Sequence, residues 1–508
     1  MRETLVGGEL YDRRLATTAV ADVIDPVIGR RALHCRQLLR RTGEIVRPRF
    51  HRPTLVHGGD AAHDSDVRRA RLAVLAMAIA LCAESCGART GLDVRGGADG
   101  GTDAGPVVRL TDAVAISAGD LSACALTSHD DVWCWGWRFG ATSPVAHVTP
   151  MFDAQPQLRF DRLTAVAISV GYTSACLRSE DGRVSCWGEN CAGQLATTSD
   201  EAGLGTERLT DVVGVDDAID VDVGGAHACI VRGDGSVWCW GAGEQGQLGD
   251  GTFAATPVWP VAADDCRSSP LGGHPSRPVN GRATVVAVVG IPAAVRVTAG
   301  WSHTCAVTRT GDVWCWGSNE HGQLGTGDTT NSSVPVHVEG IGAISQVTAG
   351  SAVTCARDGS GEVWCWGEGV LVGVGGGVGA PAQLRPVSVG LHDTTHIDAG
   401  GDQVCALPRG DTAWTWGPGV LGRVTTRSTD WTVPERVQAC PMPHCEPAPL
   451  AADVACGGAF GCLIGLDGVV SCWGDDLWGR LGDGRGDGMG SGNESDFAAP
   501  VAGPLGGH

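Results

Sequence analysis

One phrase recurs seven times along the chain and leaves few folds open to it. The copies are "ACALTSHDDVWCWG" ending at Gly136, "ACLRSEDGRVSCWG" at Gly188, "ACIVRGDGSVWCWG" at Gly241, "TCAVTRTGDVWCWG" at Gly317, "TCARDGSGEVWCWG" at Gly367, "VCALPRGDTAWTWG" at Gly417 and "GCLIGLDGVVSCWG" at Gly474. The closing glycines step by 52, 53, 76, 50, 50 and 57 residues, so seven units of about fifty residues follow one another with one insertion before the fourth. A repeat of this length is a supersecondary unit that buries its apolar face only against its neighbours. Each unit opens with an alternating segment ending in glycine, such as "VRVTAG" (Val295 to Gly300) or "VAISVG" (Val166 to Gly171). The cysteine phrase follows. Four units continue with "GQLA" (193–196), "GQLG" (246–249 and 322–325) or "GRLG" (479–482), and a proline-containing strand such as "VPVHV" leads onward. Short alternating runs between turn signals read as strands. Four strands per unit and seven units predict an all-β chain, a seven-bladed β-propeller of four-stranded blades spanning residues 113–503. The 77 glycines and the low charged fraction of 19% suit many tight turns better than long helices.

The hairpin register follows from the turn. If Cys305 faces Cys315, then Ala306 faces Trp314, Val307 faces Val313 and Thr308 faces Asp312, which leaves Arg309–Gly311 as a three-residue loop. Such loops place their third residue at positive φ, where glycine is favoured. Gly182, Gly235, Gly311, Gly361 and Gly468 hold that place, and Asp130 and Asp411 replace it in units one and six. Aspartate tolerates the left-handed region better than most residues. The two cysteines then fall in a non-hydrogen-bonded pair, where side chains are closest and a cross-strand disulfide can form. Six units carry the pair: Cys124/Cys134, Cys176/Cys186, Cys229/Cys239, Cys305/Cys315, Cys355/Cys365 and Cys462/Cys472. Each closes a loop of about ten residues, roughly 2–3 kcal/mol in the chain-entropy account. In unit six Cys405 stands opposite Thr415. Either Cys405 pairs outside the pattern, with Cys456 as a candidate, or it is a free thiol. The pairing of Cys191, Cys266, Cys405, Cys440, Cys445 and Cys456 is not deducible from spacing.

So many cysteines belong in an oxidising compartment. An export signal stands at "VRRARLAVLAMAIALCAESC", with Arg68, Arg69 and Arg71 ahead of the apolar run Leu72 to Leu81. That run is too short to span a bilayer and suits a signal segment. The stretch looks like a bacterial lipoprotein signal (67–86) with Cys86 as the lipidated residue and Cys82 as the competitor. Residues 1–66 read as a start called too early or as a cytoplasmic extension, and 87–112 as a Gly/Asp-rich linker. The whole chain carries 37 Lys plus Arg and 57 Asp plus Glu. Setting aside residues 1–85, with 14 Arg and 10 acids, leaves 23 basic against 47 acidic residues. That surface repels phosphate backbones and argues against nucleic-acid partners.

The pattern "VTAGWSHTCAVTRTGDVWCWGSNEHGQLGTGD" resembles a repeat of the regulator of chromosome condensation family. Gly300, His303, Ala306, Gly311, Val313, Trp316, Gly317, Gly322, Gln323, Leu324 and Gly325 carry the match, and the resemblance covers about residues 113–503. It implies a seven-bladed propeller. Unit five departs from the motif after Gly367, where "EGVLVGVGGGVGAP" replaces the usual tail, and unit six lacks a clear tail. Exported bacterial propellers of this type, which bind other proteins, resemble the chain in setting better than the nuclear nucleotide-exchange member does.

Within that frame the residues that could carry chemistry have plainer roles. His227 and His303 share one place in units three and four and read as turn histidines bonded to backbone rather than as ligands or bases. Cys440, His444 and Cys445 lack a second zinc pair at finger spacing, so a disulfide-tied loop is the better reading. The turn aspartates Asp181, Asp234, Asp312 and Asp467 do not complete a sialidase-type box. Trp133, Trp135, Trp238, Trp240, Trp314, Trp316, Trp364 and Trp366 recur at fixed positions and read as packing between blades. The "GQLG" tails open no helix, so they are not phosphate loops. The expectation is therefore an exported, lipid-anchored, monomeric propeller in the cell envelope or outside the cell. It binds a protein through its loop faces and has no catalytic residue, cofactor or metal. The insertions 251–290 and 425–450 are candidates for specificity. A carbohydrate-binding or glycosidase-like propeller and, by family analogy alone, a guanine-nucleotide exchange factor are the alternatives.

Overall fold

The computed structural model describes residues 108–137, 152–160, 163–197, 205–255, 280–377, 379–418, 432–437, 448–475, 480–481, 494–500 and 502–503. These build seven antiparallel four-stranded sheets, each made of four consecutive strands. The blades run over residues 113–160, 165–211, 218–287, 294–337, 344–388, 394–436 and 451–500. The first strand of each blade packs on the next blade, and blade one packs on blade seven, where Leu110, Ala113, Ile116 and Trp135 share a core with Phe460, Ile464 and Val470. The ring is also tied by its ends. Val108–Arg109 pairs with Ala502–Gly503, and Val470 N–H donates to the Leu110 carbonyl at 3.1 Å. β structure thus begins inside the stretch 87–112 that the sequence reads as linker.

Blade four shows why the phrase folds as it does. His303–Thr308 pairs with Val313–Gly317 in the register Cys305 opposite Cys315, Ala306 opposite Trp314 and Val307 opposite Val313. Thr308 N–H donates to the Asp312 carbonyl at 2.9 Å, and Gly311 N–H donates to the Thr308 carbonyl at 3.0 Å. Gly311 has φ +82°, and a Cβ there would stand 2.9 Å from Ala343 Cα in the next blade, so the turn needs glycine for conformation and for space. Its carbonyl then accepts the Ile344 N–H at 3.0 Å, which seats the next blade. Asp130 takes the same conformation at φ 65°. Blade six does not follow. There Gly410, at φ 72°, and not Asp411, occupies the left-handed region. Pro408 has no N–H with which to close the pair opposite Thr412, and the left-handed position moves back one residue within the loop while Cys405 stays opposite Thr415.

The other hairpins repeat that register, and the cysteines of each face one another across it. Cys124 stands opposite Cys134, Cys176 opposite Cys186 and Cys229 opposite Cys239. Cys355 stands opposite Cys365 and Cys462 opposite Cys472.

The two tryptophans of "VWCWG" stand two apart on one strand and so share a face. In blades one, three and six both pack in one core cluster, but they are buried to different depths. Trp135, Trp240, Trp316, Trp366 and Trp416 are fully buried, each removing about 200 Å² from water. The indole N–H of Trp316 donates to the carbonyl of Gln247, in the "GQLG" tail of the preceding blade, at 2.9 Å. Trp240 uses Gln194 and Trp366 uses Gln323 in the same way, both at 2.8 Å. The divergent fifth tail keeps this function: Trp416 donates to the Leu371 carbonyl at 2.9 Å. The first tryptophans are half-buried, as where Trp314 meets His337 at 5.2 Å between ring centroids.

Candidate functional site

The glycine that ends each first strand meets its counterpart in the next blade around the channel. A Cβ on Gly119 would lie 1.9 Å from the Gly171 carbonyl oxygen. The same clash recurs from Gly171 to Gly224 at 2.3 Å, Gly224 to Gly300 at 2.1 Å, Gly300 to Gly350 at 2.5 Å and Gly350 to Gly400 at 2.4 Å. It closes from Gly400 to Gly457 at 1.9 Å and from Gly457 to Gly119 at 2.4 Å. Seven glycines therefore form an unbroken ring in which each backbone occupies the space of its neighbour's missing side chain.

Behind the ring the first strands line the channel as sheet edges, with N–H groups lacking a ladder partner. Side chains from the preceding blade supply one. Ser117 Oγ accepts Val170 N–H at 2.9 Å and Ser169 Oγ accepts Val223 N–H at 2.9 Å. Asp222 accepts Ala299 N–H at 2.8 Å and Asp398 accepts Cys456 N–H at 2.8 Å. Asp220 accepts Val297 N–H at 3.0 Å. Burial pushes the carboxyls of Asp222, Asp398 and Asp453 up. It pushes Asp220 up to about 6, against the opposing pull of Arg296.

His227 and His303 are buried one layer out, and they are strand residues, not turn residues. Their Nε2 atoms meet Thr304 and Thr354 Oγ1 of the following blade at 2.9 Å, so the expected bond to backbone is replaced by a bond to a side chain. Each threonine in turn donates to the carbonyl of a tail glutamine, Gln247 or Gln323, at 2.8 Å. Burial pulls His227 down to about 4 and, with His227 nearby, His303 down to about 3. Both rings are neutral at pH 7, held as bridges between blades.

These two kinds of group oppose each other in pH dependence. A carboxyl raised from about 4 to about 6 holds its proton more tightly when folded, so its contribution to stability falls as pH rises through that window. A histidine lowered from 6.5 is protonated first in the unfolded chain, so its contribution is lost as pH falls below 6.5. Asp220→Asn isolates the first, since asparagine still offers an oxygen to Val297. It should stabilise the protein by about 1–2 kcal/mol at pH 7 and change little at pH 4. Equal shifts in denaturation midpoint at the two pH values would contradict that assignment.

Over one end of the channel lies a cleft of about 720 Å³. Its wall comes from the residues just past the ring glycines (Asp120, Tyr172, Trp301, Ser351, Asp402) and from the blade tails (Glu320, His321, Glu368, Arg480). Tyr172 and Trp301 meet at 4.7 Å between centroids, although they belong to blades two and four. Blade three has Gly225 between them, where a Cβ would strike the Trp301 carbonyl at 2.6 Å. Trp301 remains 39% exposed. Burial and the neighbouring Asp402 raise the Asp120 carboxyl to about 6, against the pull of Arg480. Arg480 stands where other tails have glutamine. It donates to Asp475 at 2.7 Å and to the Asp120 carbonyl at 3.0 Å.

The sequence singled out none of these cleft residues. Their signal was available: the position after the ring glycine reads Asp120, Tyr172, Gly225, Trp301, Ser351, Gly401 and Gly458, varying freely beside a residue that never varies.

The cysteines lie away from the cleft, inside the blades. Disulfides join Cys124 to Cys134 and Cys229 to Cys239, with Cα atoms 4.1 Å apart in each. Cys176–Cys186, Cys305–Cys315 and Cys462–Cys472 have Cα atoms 4.0 Å apart, and Cys355–Cys365 4.1 Å. Sulfurs in the six pairs are 2.01–2.17 Å apart. All twelve of these cysteines are buried, so the pairs staple hairpins and present no thiol chemistry. Cys405 joins Cys456 of the next blade, and Cys191 is also disulfide-bonded.

Cys82, Cys86, Cys266, Cys440 and Cys445 lie outside the described residues, as do His444 and most of the insertion candidates. The described ends of the first insertion sit at the tail of blade three. There Ala254 N–H donates to the Gly243 carbonyl, and Gly243 N–H donates to the Asn280 carbonyl. Among the described residues no group of three or more His, Cys, Asp or Glu is placed to hold a metal ion.

A closed seven-bladed ring that presents a variable cleft on a repeated frame defines a propeller scaffold. A profile of the RCC1-like domain matches residues 83–450, and the chain belongs to that family. The human RCC1 domain-containing protein 1 is 32% identical over 190 residues, covering 34% of this chain and 50% of that protein. The ultraviolet-B receptor UVR8 of Arabidopsis thaliana is 26% identical over 223 residues, 44% of this chain and 45% of the receptor. The chain thus spans about half the length of these curated relatives. Among solved structures, yeast RCC1 (Prp20) bound to Kap60 superposes with a TM-score of 0.56 at 15% identity, over 81% of this chain and 90% of that one. Human WBSCR16 gives 0.57 at 18% identity, over 74% and 94%. These likenesses show the fold.

Proposed function

We propose that this chain is an exported, lipid-anchored scaffold that binds another protein through the face bearing the channel-mouth cleft. The observation that carries the binding reading is the cleft itself: a concave surface of varied side chains set on a ring of closely apposed glycines. Support for protein as the partner comes from yeast Prp20, solved in complex with Kap60. The cysteine pairs and the signal-like segment ending at Cys86 support export. On this reading the protein is not an enzyme, and its acidic surface keeps nucleic acid away.

The test is made on cells. The cysteines of the six hairpins are expected to resist alkylation until reductant is added, and the mature N-terminus is expected at a lipid-modified Cys86. A cell-envelope pull-down with the mature chain should retain a stoichiometric protein. Reduced Cys305 and Cys315 in cells would overturn export. The carbohydrate-binding alternative has one observation in its favour, the Tyr172–Trp301 pair at the cleft edge, since aromatic faces stack on sugars. Hydrolysis of a glycan panel, lost on a single carboxylate substitution, would establish it instead.

A further inference from the structure

We propose that the channel-mouth cleft receives an arginine side chain presented by the partner, its guanidinium directed to Asp120 and Asp402 and its stem laid against Tyr172 and Trp301; this deepens the protein-binding reading and rests on it. Three features point to that occupant. The first is shape: the cleft is a concavity of about 720 Å³, large enough for one long side chain and the backbone on either side of it.

The second is the aromatic shelf. Trp301 is 39% exposed in a chain that fully buries the second tryptophan of its repeat. Gly225 removes the blade-three side chain that would otherwise separate it from Tyr172, so the two rings form one apolar surface at the cleft edge. Planar cations stack on such faces, and arginine does so better than lysine.

The third is charge complementarity. Asp120, Asp402, Glu320 and Glu368 line the cleft. The arginine among the lining residues, Arg480, is 5% exposed and is held by Asp475 and the Asp120 carbonyl. Its charge is shared between Asp475 and the Asp120 side of the cleft, and four lining carboxylates against this one arginine leave the carboxylates in excess. Asp120 and Asp402 line the same cleft as Tyr172 and Trp301, where burial, with the Asp120 charge adding to it, pushes the Tyr172 hydroxyl up. Carboxylate and aromatic face thus belong to one cleft, in which the proposed guanidinium uses both. Asp402 is oriented by Ser351, whose hydroxyl donates to it at 3.3 Å.

The probe is a blocked heptapeptide, Gly-Ser-Gly-Arg-Gly-Ser-Gly, and its twin with citrulline in place of arginine, which keeps the shape and removes the charge. Both are titrated into the mature chain by calorimetry and saturation-transfer NMR. The arginine peptide is expected to saturate and the citrulline twin to bind at least tenfold more weakly. Trp301→Ala, an exposed position whose loss leaves the core intact, and Asp402→Asn should each weaken the arginine peptide about tenfold without shifting the melting temperature. Equal binding of the two peptides, binding of neither, or unchanged affinity in both variants would overturn the proposal. The envelope pull-down separates the two levels. A partner retained equally by wild type and by Trp301→Ala/Asp402→Asn leaves protein binding standing and removes the arginine site. Arginine-specific peptide binding with no partner retained does the reverse.

Discussion

Gly400→Ala is expected to destabilise the propeller by about 3 kcal/mol or more, read as a lowered denaturation midpoint and a poor yield of folded protein. The added Cβ would stand 1.9 Å from the Gly457 carbonyl oxygen and 2.3 Å from its carbon. Both partners are backbone, so no side chain can swing aside. Relief requires blade six to move off blade seven, and that strains every other contact in a closed ring. The same substitution at Gly342 is the control. A Cβ there meets nothing within 4 Å and the backbone is not left-handed. Gly342→Ala should therefore be neutral or stabilising by about 0.5 kcal/mol, through the lower entropy of the unfolded chain. If both variants melt together, the glycine ring does not constrain the fold.

Replacing Cys405 and Cys456 together by alanine is the second large effect. Their disulfide closes a sequence separation of 51 residues, against 10 for each hairpin pair. In the chain-entropy account the longer loop contributes about 4 kcal/mol and a hairpin loop about 2.7 kcal/mol. The double variant should accordingly lose more stability than Cys305→Ala/Cys315→Ala, and reductant should abolish the difference. The link also joins two blades rather than two strands, so its loss should loosen blade six against blade seven, visible as faster hydrogen exchange in 394–408. Equal losses for the two double variants would mean that the inter-blade bridge adds nothing beyond a hairpin staple.

Much of the fold was legible because it is local. The Cys305–Cys315 register, the three-residue loop and its glycine involve residues ten apart, and turn chemistry fixes them within one unit. The same holds for Cys134, Cys186, Cys239, Cys365 and Cys472, each met by the cysteine ten residues before it. Where local chemistry differed, the expectation failed. Asp411 stood at the expected place, but Pro408 removed a donor and Gly410 took the left-handed position. The histidines were misplaced for another reason. Nothing near His303 in the sequence shows that Thr354, in the next unit, will face it. The fifth tail hid its role because the ring uses a backbone carbonyl there, and Leu371 supplies one as well as Gln323 does.

The number of blades, the strands within each and the pairing across each hairpin are therefore written along the chain. They follow from a repeated period and from turns that close within a few residues. What the repeat glycine is for, which tryptophan is buried, where Cys405 finds its partner and which side chains meet at the channel mouth emerge only in three dimensions. Those contacts join positions more than forty residues apart. Their geometry is set by the angle and spacing of blades in a closed ring, and no single unit contains that information.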